Sequence, residues 1–404
     1  MTGPRTLFLR ILLVLALVAA VDVILSLTWL SEGRVGKRPL PPFGIEFDEP
    51  QLAVLARLEA GLVNQNSVVG FDRDLGWCVR PLAAHPTQPI RINSRGLRGE
   101  REYSELPPPD KLRVACYGDS FAFGDEVGDE ATYESFLERI QPSVEALNFG
   151  VSAYGTDQAL LRMERDGILG ARAVIVSLLL ENIGRNVNRY RPLWTARTLS
   201  PLAKPRFVLV NDQLQLIPQP FADGREFAQA ARSGAALEIL AEHEYWRGRP
   251  ELWTGRASSL GRLAAGWFAY RERDPQRLWL DRDGEPFRVT VALIEALRER
   301  ARALGAKEFL VLLFPMREEL ADYRESGKAY WSAVADEFTS RGIDCIDLAP
   351  ALAAEDLRCE QDPLHPTLFV AAHLSSVGNQ TVAVEIQRWL LDRRLLAHED
   401  VERR

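Results

Sequence analysis

Cysteine is scarce. The chain has four in 404 residues, Cys78, Cys116, Cys345 and Cys359, too few for a stapling framework of disulfides. Cys116 and Cys345 sit in apolar strand-like runs, LRVACYG and GIDCIDL, and read as buried thiols. Cys78 and Cys359 lie in loop-like sequence and are the one pair that could bridge in an oxidising compartment. No His/Cys cluster has zinc-ligand spacing, so no metal is expected, and no cofactor either. Positive charge is not in excess. The net charge of −7 gives no basic field for nucleic acid and fits a globular body with a neutral or sugar-like partner. Internal repeats and low-complexity tracts are absent. With 47% hydrophobic residues, the chain is long enough to bury a full-sized core with room for a second module.

One long hydrophobic run stands out. Thr6 to Leu30 carries only two charges, Arg10 and Asp22, and Ile11 to Leu30 supplies 20 residues, enough to cross a hydrocarbon core of ~30 Å as a helix. Arg5 and Arg10 predict a short cytoplasmic N-terminus (1–5), a transmembrane anchor (6–30) and a body on the periplasmic or extracytoplasmic side of the cell's inner membrane. A cleaved signal peptide is the rival. The length of the run and the lack of a clean small-x-small site favour an uncleaved anchor. Asp22 is either a tolerated polar residue or a contact to another membrane helix.

Residues 31–110 read as a linker and small accessory region. Ser31 to Phe47 is rich in Gly, Pro and basic residues. Leu52, Leu55, Leu58 and Leu62 recur at helical spacing, and Gly70 to Gly99 reads as short strands and turns. From Lys111 the pattern alternates. LRVACYG, VEALNFG, AVIVSLLL, EFLVLLF and GIDCIDL read as strands, with helices predicted at Thr156 to Asp166, Phe287 to Leu304, Tyr330 to Arg341 and Gly378 to Leu391. The fold class is α/β, a three-layer α/β/α parallel sheet over 111–395. Residues 191–283 interrupt it as an irregular insertion with one hairpin, FVLVNDQLQLI, turning at Asn211-Asp212. Trp194, Trp246, Trp253 and Trp267 in that insertion shape a substrate groove or pack a subdomain.

In an open parallel sheet the chemistry gathers at the carboxyl ends of the strands. After the first strand comes Gly118-Asp119-Ser120-Phe121, a hydroxyl at a strand-to-helix turn with backbone N–H groups nearby. After the second comes Phe149-Gly150-Val151-Ser152, where a glycine N–H suits an oxyanion. After the third comes Glu181-Asn182-Ile183, whose amide is a further donor. His373, just ahead of the last helix, is a base for the serine. A lone Gly-Asp-Ser is usually an ordinary turn or cap; four such residues at strand ends, in order, are not. The G-x-S-x-G elbow is absent around Ser120, which argues against an α/β-hydrolase. His85, His243 and His398 have no strand-end context and read as surface residues.

These segments resemble the SGNH/GDSL hydrolases. ACYGDSFAFGDEV looks like block I of that superfamily, LNFGVSAYGTDQALLRME its glycine block, LLLENIGRNVNRYRP its asparagine block and HLSSVGNQTVAVEI its histidine block. The upstream Gly76-Trp77 and INSRGLRGE (Ile92 to Glu100) resemble membrane-anchored bacterial members. The resemblance covers about residues 70 to 395 and implies a flavodoxin-like SGNH hydrolase fold. It further implies Ser120 as nucleophile, His373 as base, and an oxyanion hole of the Ser120 backbone, Gly150 and Asn182.

The chain departs from the pattern in two places. Glu181 precedes Asn182 where the family places Asn directly after the strand, and Val370 stands where the family carries an Asp three residues before its histidine. Asp362-Pro363-Leu364-His365-Pro366 restores an Asp-x-x-His-Pro spacing and makes His365 a rival base, although the LSSVGNQTVA that follows His373 favours the latter. The implied activity is a serine esterase removing O-acyl groups, acetyl above all, from cell-envelope or exported polysaccharide. Two alternatives stay open. One is an O-acyltransferase served by a membrane-embedded acyl-donor partner; the other is an inactive polysaccharide-binding or assembly protein.

Overall fold

Five short apolar runs form one parallel sheet: β1 (Leu112–Tyr117), β2 (Val144–Asn148), β3 (Ala173–Leu179), β4 (Glu308–Phe314) and β5 (Asp344–Asp347). The computed structural model describes residues 4–28, 30–31, 34–35, 38–39, 45, 47–62, 67–195, 198–246, 258–362 and 366–396. Spatial order in the sheet is β5-β4-β3-β1-β2, and every neighbouring pair is parallel. Every residue of β3 is buried. A strand covered on both faces has no solvent side to alternate with, so its sequence is apolar throughout.

Helices cover both faces of the sheet. Tyr133–Ile140 packs on the last helix, Ser376–Asp392, and Thr156–Asp166 packs on Glu285–Ala303. Topology then positions the site. The chain leaves β1 for β2 at one edge, returns past β1 to β3, and continues outward through β4 and β5. Strand order reverses between β1 and β3, so the loops leaving these two strands diverge and open a crevice at their carboxyl ends.

The accessory region is built as its sequence suggests. Val69–Asp72 and Gly76–Val79 pair as a hairpin, and Trp77 is fully buried with its indole N–H donating to the Ser152 carbonyl at 3.0 Å. Tyr154 returns a bond to the Trp77 carbonyl at 2.8 Å, tying this region to the glycine block. A helix at Glu49–Glu59 starts on a capping box of Asp48 and Gln51. The expected linker, Ser31 to Phe47, falls largely outside the described residues.

The insertion is more ordered than its sequence suggests. Besides the hairpin, Arg206–Val210 with Gln213–Ile217, it holds helices at Gly224–Ser233, Ala235–Leu240, Ser259–Glu272 and Pro275–Leu280. Two of these begin on Asp223 and Asp274, whose side chains accept from first-turn N–H groups. Trp194 and Trp246 pack on each other at 5.0 Å, and the Trp246 indole donates to the Gly184 carbonyl at 2.9 Å. Both belong to the subdomain packing. Trp253 and the Trp267 side chain lie outside the described residues.

The proposed pairing of Cys78 with Cys359 is not formed. None of the four cysteines is in a disulfide. Cys78 lies in a buried strand, its sulfur 3.3 Å from an Arg165 guanidinium nitrogen, and Cys359 sits in a helix, Ala349–Gln361, rather than a loop.

At the N-terminus, Pro4–Thr28 is a single helix. Its segment Arg5–Leu27 has a mean hydropathy of 2.7, none of it is buried, and it is long and apolar enough to cross a membrane. Asp22 is a contact within the chain. Its carboxylate accepts from the Ser258 hydroxyl at 2.8 Å and the Leu260 N–H at 2.7 Å, at the start of the helix Ser259–Glu272.

Candidate active site

Directly after β1 the chain turns through Gly118 and Asp119 into a short helix, Ser120–Phe123. Only glycine fits at 118, because a Cβ there would meet the Ser177 Cβ on β3 at 2.8 Å. Asp119 is fully buried and holds two elements at once. One oxygen caps the helix by accepting from the Phe121 N–H at 2.8 Å, and the other accepts from the Asn182 amide at 2.6 Å. Burial pushes the Asp119 carboxyl above its ordinary value; Arg185, the Phe121 N–H, Asn182 and His373 oppose that rise. The Phe121 N–H in the Ser120 helix and the Asn182 amide, from the loops after β1 and β3, therefore share one carboxylate at the switch point.

Gly150, after β2, lies against the same turn. A Cβ would come within 2.2 Å of the Phe123 nitrogen, so this position too admits only glycine. Its N–H donates to the Asn148 side-chain oxygen at 2.9 Å, and the Asn148 amide donates to the Ala122 carbonyl at 2.7 Å. Gly150 is thus brought to the Ser120 turn with its N–H engaged. Among the described residues the Ser120 N–H has no acceptor, and the Asn182 side-chain oxygen is buried without a partner.

His373 arrives from the far end of the chain. It stands in a two-residue ladder, Phe369–Val370 with His373–Leu374, in register with Val370. Its imidazole packs against the Phe121 ring at 5.3 Å between centroids. Two carboxylates flank it: Asp125 Oδ2 lies 3.9 Å from Nε2 and Glu126 Oε1 lies 3.4 Å from Nδ1. The Asp125 carboxyl is pushed up by burial, against the pull of His373, the Ser152 hydroxyl and Arg98.

The structure therefore brings Ser120, Gly150, Asn182 and His373 to one rim of the sheet. The rival base, His365, lies outside the described residues, and Asp362 is exposed at the end of the helix Ala349–Gln361. His85 caps a surface turn, with Nδ1 accepting from the Gln88 N–H at 3.1 Å, and His243 is only partly buried; His398 lies outside the described residues. Sequence reasoning did not single out Asp125, Glu126, Ser152 or Arg98. Their one signal is that the first two follow the Gly that ends the serine's helix.

No family model matches the chain, and no curated protein matches it. Among solved structures, one from Desulfitobacterium hafniense DCB-2 is described as a lipolytic protein of the G-D-S-L family. It is 12% identical, with 69% of this chain and 99% of that chain covered, at a TM-score of 0.32. Another, a member of the lipolytic G-D-S-L family from Veillonella parvula DSM 2008, is 10% identical over 68% of this chain and 96% of that chain, again at 0.32. Likenesses this distant assign no activity, and the chemical reading rests on the side chains described above.

Proposed function

We propose that this chain is a serine-dependent ester hydrolase, working through an acyl-Ser120 intermediate on O-acetyl groups of cell-envelope or exported polysaccharide. The observation that carries the reading is that His373 packs on Phe121, the residue after Ser120, while Asp119 caps the Ser120 helix and accepts from the Asn182 amide. Ser120 Oγ attacks the ester carbonyl as His373 takes its proton. The oxyanion that forms faces the free Ser120 N–H and the second Asn182 amide hydrogen. The Gly150 N–H joins them by sharing its hydrogen with Asn148. Collapse expels the sugar hydroxyl, which receives the proton from His373. Water, deprotonated by His373, then attacks the acyl-serine carbonyl; collapse breaks the Ser120 Oγ–acyl bond, His373 returns the proton to Oγ, and the carboxylic acid leaves.

The helix Pro4–Thr28 supports an anchored enzyme with its body on the extracytoplasmic side of the inner membrane. The polysaccharide substrate follows from the resemblance to anchored family members. The test is a fluorophosphonate probe applied to the full-length chain in detergent, followed by acetate release from an acetylated polysaccharide. Labelling is expected in the parent and absent in Ser120→Ala. An unlabelled parent, or equal labelling of the variant, overturns the reading. Acyl groups accumulating on the sugar from an added donor would mark a transferase instead.

A further inference from the structure

The residue that should orient His373 is absent from its usual place. Val370 is the cross-strand neighbour of His373 and is 45% exposed, so that strand brings no carboxylate to the imidazole. We propose that Glu126, on the same turn as the nucleophile, is the positioning residue that holds His373 in its working tautomer, with Asp125 as a second, electrostatic support. This rests on the esterase reading of Ser120 and His373.

The contacts are specific to the two ring nitrogens. Glu126 Oε1 lies 3.4 Å from Nδ1, which is buried and has no other hydrogen-bond partner. A small rotation of the Glu126 side chain converts that contact into a hydrogen bond, as often happens when a free site closes on its substrate. Acceptance from Nδ1–H leaves the lone pair on Nε2, the nitrogen that must take the serine proton. Asp125 cannot compete for that role. One of its oxygens is held by the Ser152 hydroxyl at 2.5 Å, and the other stays 3.9 Å from Nε2. There it adds negative charge near the imidazolium without capturing its hydrogen.

The loop that presents these carboxylates is built rather than incidental. Gly124 ends the serine's helix in the left-handed region, and the N–H groups of Gly124 and Asp125 both donate to the Ser120 carbonyl, at 2.9 and 3.0 Å. Arg98 clamps the loop from outside, donating to the Phe123 and Val127 carbonyls at 2.7 Å each and to Asp129 at 2.6 Å. Glu126 itself is held at φ 70°, a conformation that a long side chain adopts only when its surroundings impose it. A glycine would sit there without strain, and the chain has glutamate.

That strain separates chemistry from stability. In the full-length protein, Glu126→Gly removes the carboxylate and relaxes the backbone, Glu126→Gln keeps the size without the charge, and Glu126→Asp keeps the charge. With p-nitrophenyl acetate as substrate, Gly and Gln are expected to lower kcat at least ~100-fold with KM within about twofold. Asp should restore part of the loss. The Tm of Glu126→Gly should equal or exceed the parent's. In 15N-histidine spectra, the parent's His373 should be the Nδ1–H tautomer, and Glu126→Gln should lose that preference. If the parent reacts at Ser120 but Glu126→Gly retains full kcat, or if kcat falls only in step with Tm, the assignment to Glu126 is overturned alone. If the parent does not react at Ser120, both readings fall.

Discussion

Gly150 makes a demand on sequence that only backbone packing explains. Its Cα faces the Ala122–Phe123 peptide so closely that a Cβ would lie 2.2 Å from one nitrogen and 2.6 Å from the neighbouring carbonyl carbon. Gly150→Ala must push the serine's helix away from β2. It is expected to cost more than ~2 kcal/mol in urea unfolding and to abolish probe labelling at Ser120; a variant as stable and as reactive as the parent would refute the close approach. Much of the site was legible at this scale. Ser120, Gly150, Asn182 and His373 each follow a strand or precede the last helix, and strand-end position can be read from an apolar run. Asp125 and Glu126 were not legible as partners of His373. Their role exists only once the far end of the chain, Ser152 and Arg98 have closed around them, and no local pattern encodes that meeting.

Among the elements, the helix Tyr133–Ile140 carries an unusual load. Glu134 in its first turn is buried against the sheet, and burial raises its carboxyl to about 8. In the unfolded chain the same group ionises near ~4.3. Between those values the folded chain holds a proton that the unfolded chain has lost, so this group's contribution to stability falls as pH rises toward 8 and then levels off. Glu134→Gln, uncharged throughout, should match the parent near pH 4 and exceed it by more than ~1 kcal/mol at pH 9. Denaturant unfolding at the two pH values checks this, and a constant difference between them would count against it. The sheet strands were readable because each is a short apolar run between turn signals. The hairpin was readable from Asn211-Asp212, which take φ of 50° and 61° as a tight turn requires. Of the insertion's helices, Ala235–Leu240 and Pro275–Leu280 were missed because six residues are too few to show a period, and Gly224–Ser233 and Ser259–Glu272 because no strand-helix alternation frames them.

Across the whole molecule, Asp22 ties the N-terminal helix to the body. Asp22 receives the Ser258 hydroxyl and the Leu260 N–H, acting as a cap supplied by a helix more than two hundred residues away. Asp22→Ala should leave the Leu260 amide about fivefold less protected in hydrogen exchange, the equivalent of the ~1 kcal/mol that a lost cap costs. Unchanged protection in the full-length chain would show that the tie contributes nothing. The apolar run around Asp22 was plain in the sequence, but its capping partner was not, since Ser258 and Leu260 carry no mark of it. The turn at 120–126 works in the opposite way. There the Ser120 hydroxyl and the Asp125 and Glu126 carboxylates share one short turn, closed by the Gly124 and Asp125 N–H groups on the Ser120 carbonyl and clamped by Arg98. Any substitution that shifts this one turn therefore moves the hydroxyl and both carboxylates together.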